Sequence, residues 1–153
     1  MANFVLPKDL CYNRGLVADP AAYAEERGVA SWLFLVGDEF AMMPGGIAYA
    51  QVQSAVEQSA RVISDPPREL NLELARQQMA ALDALPRPTL MTCRSGPRAS
   101  ATAYLYAGLK AGATIDEILT AAEADHAPFL AGAENREWLR MSLEALRNES
   151  RPA

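Results

Sequence analysis

The sequence predicts an α/β fold with a mainly parallel central sheet flanked by helices in three layers, and three observations predict it. The stretches SWLFLV at 31–36 and Thr89 to Cys93 are apolar runs of strand length, suited to a sheet covered on both faces. Between and after them lie segments with apolar residues at helical spacing, bounded by capping residues. Strand and helix alternate along the chain, the order that sets parallel strands between covering helices.

The elements follow in chain order. Asp19-Pro20 supplies a cap and a proline at the first helical position, and Gly28 sits where a helix end favours positive φ, so 20–27 reads as a helix. SWLFLV is the next strand. Pro44-Gly45-Gly46 marks a turn, and 47–59 reads as a helix with Val52 and Val56 on one face. Arg61 to Ser64 reads as a short strand ended by Asp65-Pro66-Pro67. Leu72, Ala75, Met79 and Leu82 then recur at helical spacing after an Asn71 cap, and Pro86 stops that helix. After the strand Thr89 to Cys93 comes a helix over 98–111 that ends at Gly112. Thr114-x-x-Glu117 is a capping box, and Leu139, Leu143 and Leu146 share one face of a last helix over 135–147.

Composition narrows the function. The 153 residues, 50% hydrophobic and 22% charged, are enough for one domain with a sizeable core, so residues 1–153 are expected to form a single domain. A formal net charge of −5 sets the broad field against nucleic acid and anionic membranes. No stretch approaches the roughly 20 apolar residues of a membrane span, and MANFVLPKDL lacks the basic region and apolar core of a secretion signal, so a cytoplasmic protein is expected. Two distant cysteines, Cys11 and Cys93, do not form a disulfide framework. With His126 as the one histidine and no CxxC, no zinc site is expected, and no cofactor is expected. The sequence leaves the oligomeric state open.

The chemistry concentrates in MTCRSGPRAS, residues 91–100. Cys93 falls at the carboxyl end of a buried strand, the loop Arg94-Ser95-Gly96-Pro97 follows, and Arg98 opens a helix, the place where open α/β sheets bind ligands. Successive backbone N–H groups in such a loop form an anion nest. The helix N-terminus adds partial positive charge, and Arg98 offers a two-pronged donor for a tetrahedral oxyanion. The same field favours a thiolate and so a nucleophile. The expected partner is a small oxyanion or a phosphorylated substrate. A buried cysteine in an ordinary strand-to-helix turn is the bland alternative.

CRSGPR resembles the Cys-x-x-Gly-x-Arg loop of the beta-lactamase-hydrolase-like phosphatases, a bacterial branch related to dual-specificity and tyrosine phosphatases, in which arginine follows cysteine by five positions. LCYNRG is similar to that family's opening strand, AYAEERGVASWLFLVGDE to its first helix and strand, and LNLELARQQMAALDALPRPTLMTCRSG to the approach to the loop. LKAGATIDEILTAAEADHAPF resembles its helical tail. The resemblance implies phosphoester hydrolysis without a metal: Cys93 attacks phosphorus, Arg98 and the loop amides hold the equatorial oxygens, and water releases a cysteinyl phosphate. Three positions depart from the pattern. Thr92 stands where histidine commonly precedes the cysteine, Pro97 has no N–H to give the nest, and Ala99 replaces a hydroxyl residue for which Ser100 is the nearest substitute.

Related phosphatases take a proton-donating aspartate from a loop upstream of the cysteine. Asp65 in SDPPREL is the first choice, and Asp38, with Glu39 close by, is the second. For Asp65 the competing reading is a turn residue before two prolines. His126 reads as a helix-end or surface residue, Tyr104 and Tyr106 as packing residues, and Cys11 as a buried hydrophobe. Single-domain rhodaneses, which carry sulfur as a cysteine persulfide, use a CRSGxR loop of the same spacing. There the loop helix is usually followed by a short strand and a Gly-Gly segment, whereas this chain continues ATIDEILTAAEADHAPF. A noncatalytic oxyanion-binding domain is the third reading, with Pro97 and Ala99 as marks of lost activity.

Overall fold

The computed structural model describes residues 4–65 and 68–149. Among them, four parallel strands form one sheet: β1 (Leu10–Tyr12), β2 (Ser31–Phe34), β3 (Gln58–Arg61) and β4 (Thr89–Thr92), in the order β1-β4-β2-β3. The helices are α1 (Pro20–Arg27), α2 (Tyr49–Ala55), α3 (Leu72–Ala84), α4 (Pro97–Ala111), α5 (Ile115–Ala124) and α6 (Ala133–Glu149), with single 3-10 turns at Asp38–Met42 and Pro128–Ala131. The architecture is the α/β one expected from the sequence, and its sheet is parallel throughout.

The capping residues act as their chemistry dictates. Asp19 accepts from the Ala22 N–H at 3.2 Å, and Asn71 accepts from the Leu74 N–H at 2.9 Å. Thr114 and Glu117 exchange hydrogen bonds of 2.9 and 3.1 Å, a complete capping box. Gly28 and Gly112 close α1 and α4 in the left-handed conformation, with φ of +60° and +68°.

β2 and β4 are buried at every residue, which requires cover on both faces of the sheet. One group of helices, α1 and α2, lies against β2 and β3, and the other, α3 to α6, gathers around α4 on β1 and β4. Trp32, Leu33, Phe34, Leu90 and Met91 make the centre of the core. Each such side chain contributes about 1.5–3 kcal/mol by leaving water. From Ala99 to Gly108, α4 is buried all round, because it passes between the sheet and the outer helices.

The structure moves several of the expected boundaries. α2 stops at Ala55, and β3 begins at Gln58, three residues before the expected strand at 61–64, because Gln58 pairs with Ser31 at the start of β2. The pairing nevertheless continues loosely through the expected stretch: Val62 N–H donates to the Phe34 carbonyl and Ser64 N–H to the Leu35 carbonyl, both at 3.0 Å. Pro66 and Pro67, the expected terminators, lie outside the described residues. β2 ends at Phe34, although Leu35 and Val36 stay buried as the chain turns away at Gly37. No helix among the described residues is long and apolar enough to cross a membrane.

All four strands point the same way, so their carboxyl ends share one edge of the sheet. The residues that follow them, Asn13 after β1, Gly37 after β2, Asp65 after β3 and Cys93 after β4, are brought together there.

Candidate active site

Cys93 is buried at the end of β4, and its Sγ accepts two backbone N–H bonds, from Gly96 at 3.1 Å and Ala99 at 3.3 Å. Both donors lie where the loop enters α4, so the sulfur sits at that helix's N-terminus. Two residues that depart from the phosphatase loop thus find a place. Ala99 contributes its N–H, and Pro97 occupies the first position of α4, where a helix needs no N–H. Gly96 has φ of +125°, a region closed to ordinary side chains, and a Cβ there would lie 2.4 Å from the Asn13 carbonyl oxygen. The loop therefore requires glycine at this point.

Asn13 holds the loop from the β1 side. Its side chain is fully buried, its Oδ1 accepts from the Cys93 N–H at 3.2 Å, and its Nδ2 donates to the carbonyls of Cys93 at 3.0 Å and Gly15 at 2.9 Å. Gly15 in turn donates its N–H to the Ser95 carbonyl at 2.7 Å. The backbone on either side of the sulfur is thereby fixed to a strand separated from it by eighty residues of chain.

A cavity of about 300 Å³ opens above the sulfur, lined by Asp65, Cys93, Arg94, Ser95, Pro97, Arg98, Glu134 and Asn135. Arg98 lies mostly buried along its wall, donates to the Arg68 carbonyl at 3.3 Å and faces Glu134 Oε1 at 3.7 Å. Burial pulls its guanidinium below the ordinary arginine value, while Glu134, Asp65 and Cys93 act in the opposite direction. Arg94 points sideways to Asp65 Oδ2, at 3.0 Å from Nη2 and 3.3 Å from Nε.

Asp65, the aspartate expected to donate a proton, lines the cavity wall. Its side chain is 1% exposed, and Oδ1 accepts from the Gly37 N–H at 3.0 Å and Arg68 Nη1 at 3.1 Å. With Oδ2 accepting from Arg94, each carboxylate oxygen has a guanidinium partner. Asp65 ties the end of β3 to the end of β2 and to the Cys93 loop. The preceding residue is fixed as well, since Gln78 of α3 donates to Ser64 Oγ at 3.3 Å and accepts from Thr102 of α4 at 2.9 Å.

The remaining candidates fall elsewhere. Asp38 is exposed and pairs with Arg61 at 2.8 Å, outside the cavity lining. Glu39 pairs with Arg68, and its own backbone N–H together with that arginine holds its carboxyl below the usual range. Ser100 does not substitute for the missing hydroxyl at position 99, because its Oγ donates to the Pro97 carbonyl and accepts from the Phe129 N–H, both at 3.0 Å. Thr92 accepts from the Trp32 indole at 2.8 Å. His126 is exposed past the end of α5. Tyr104 and Tyr106 bond Asp125 and Asp83, and burial of Cys11 pushes its thiol up.

Asn13, Arg68, Glu134 and Asn135 escaped the sequence reading. Asn13 follows the short stretch LCY, whose three residues carry too little periodicity to mark a strand. Glu134 and Asn135 open an amphipathic helix, where acidic and amide residues are ordinary.

No family model and no curated protein matches this sequence. Solved structures do match its fold. A candidate phosphatase from Neisseria meningitidis Z2491 shares 21% identity over 93% of this chain and 99% of its own, with a TM-score of 0.66. A mutant form of Tk-PTP shares 14% over 96% of this chain and 97% of its own, at 0.71, and human DUSP28 shares 19% over 95% and 99%, at 0.61. At such identities the likeness establishes a common fold.

Proposed function

We propose that the chain is a cysteine-dependent phosphatase that hydrolyses phosphate monoesters through a cysteinyl-phosphate intermediate. The observation that carries the proposal is the convergence of the Gly96 and Ala99 N–H groups on Cys93 Sγ at the floor of a cavity walled by Arg98. The common fold with phosphatase structures supports it.

In this reading the phosphoryl group enters the cavity and its equatorial oxygens take the amides of Arg94 to Gly96 and the Arg98 guanidinium. Arginine suits this role better than lysine because its planar fork meets two oxygens at once. The Cys93 sulfur then attacks phosphorus in line with the leaving oxygen, and the charge spread over the transferring group is stabilised by donors already in position. Water afterwards displaces the sulfur, releasing inorganic phosphate. Arg94 serves indirectly, as the link through which Asp65 braces the loop.

A paired assay tests the reading against sulfur transfer. The purified protein is given p-nitrophenyl phosphate in one reaction and thiosulfate with cyanide in the other, each alongside Cys93→Ser. Nitrophenolate release abolished in Cys93→Ser is the expected result. Thiocyanate formation without phosphate release would make Cys93 a persulfide carrier, and binding of phosphate with turnover of neither substrate would leave a noncatalytic oxyanion-binding domain.

A further inference from the structure

Building on the phosphatase reading, we propose that Glu134, in the first turn of α6, is the catalytic residue that protonates the leaving oxygen. Among the described residues, the cavity above Cys93 is lined by two carboxylates, Asp65 and Glu134. They are held very differently. Asp65 is buried, and its oxygens accept from Gly37, Arg68 and Arg94, so handing over a proton would mean breaking contacts with two guanidinium groups. Glu134 is 69% exposed, and its ion pair with Arg98 is 3.7 Å long, beyond hydrogen-bond range.

Position favours Glu134 as well. The sulfur lies at the buried floor, so in-line attack directs the leaving oxygen toward the open mouth. Glu134 stands at that mouth, beside the arginine that holds the phosphoryl oxygens. The step balances: the sulfur lone pair forms the S–P bond, the P–O bond to the leaving group breaks, and the Glu134 proton passes to that oxygen to give a free alcohol. In the return step the Glu134 carboxylate takes a proton from the attacking water, the new O–P bond forms, and the S–P bond breaks to restore the thiolate.

The test compares kcat/KM, which reports formation of the cysteinyl phosphate, on an alkyl phosphate and on p-nitrophenyl phosphate. The good leaving group needs little protonation, so Glu134→Gln should lose about 100-fold or more on the alkyl ester and only a few-fold on the aryl ester. Asp65→Asn should lower both by one common factor. An equal loss on both substrates in Glu134→Gln, or no loss on either, overturns the assignment, as does the asymmetry appearing in Asp65→Asn instead. A wild-type protein that releases no phosphate overturns the phosphatase reading itself. Wild-type turnover that requires Cys93 while Glu134→Gln behaves as wild type overturns only the role of Glu134.

Discussion

Removing the Asn13 side chain tests the construction of the site without presuming its reaction. In Asn13→Ala the Cys93 N–H and carbonyl, both paired to the buried carboxamide at 3.2 and 3.0 Å, lose their partner together. A buried polar group left unpaired costs about 1–3 kcal/mol, so two such groups give about 2–6 kcal/mol. A water entering the space left by the carboxamide would recover part of this, which sets the expectation at about 2–4 kcal/mol. With a urea slope of about 2 kcal/mol per molar, the unfolding midpoint should fall by about 1–2 M at unchanged slope. Equilibrium urea unfolding followed by tryptophan fluorescence measures it, since Trp32 and Trp138 are both buried. The loop should also loosen around the sulfur, lowering turnover of aryl and alkyl phosphates alike. A midpoint shift below about 0.3 M with turnover intact would show that Asn13 does not hold the loop, and the account of how β1 positions Cys93 would fall.

Two further outcomes are expected. Sulfate or phosphate at a hundred times its Kd should stabilise the fold by about 2.7 kcal/mol, roughly 5–10 °C in Tm for a chain of this size. Arg98→Ala should abolish the shift and Arg98→Lys should reduce it. An equal shift in wild type and Arg98→Ala, at ionic strength matched with chloride, would refute anion binding at this loop. In alkali, Tyr106 governs part of the loss of stability: its burial and its hydrogen bond to Asp83 raise its pKa from 10 to about 12. The folded protein then holds this proton more tightly than the unfolded chain does. The resulting stability is complete below about pH 10 and disappears as pH rises toward about 12. Unfolding free energy measured across that window should fall less steeply in Tyr106→Phe than in wild type. Identical slopes would place the alkaline loss elsewhere.

Local chemistry decided much of this protein. The caps at Asp19, Asn71 and Thr114 and the glycines that close α1 and α4 depend on neighbours within one turn, so a reader of the sequence finds them. The apolar runs of β2 and β4 announce a sheet covered on both faces, and the order strand, Cys, Gly, Arg, helix puts an anion-binding loop at a strand end. Tertiary structure decided how the charged residues are used. An aspartate before two prolines reads the same in sequence whether its carboxyl faces a substrate or two arginines. Only the folded chain brings Arg68 and Arg94 to the two oxygens of Asp65. Asn13 and Glu134 are separated from Cys93 by eighty and forty-one residues, and no local pattern records such distances. What joins them is the parallel sheet, which sets its carboxyl ends along one edge, and the start of α6, which borders the cavity beside the Cys93 loop.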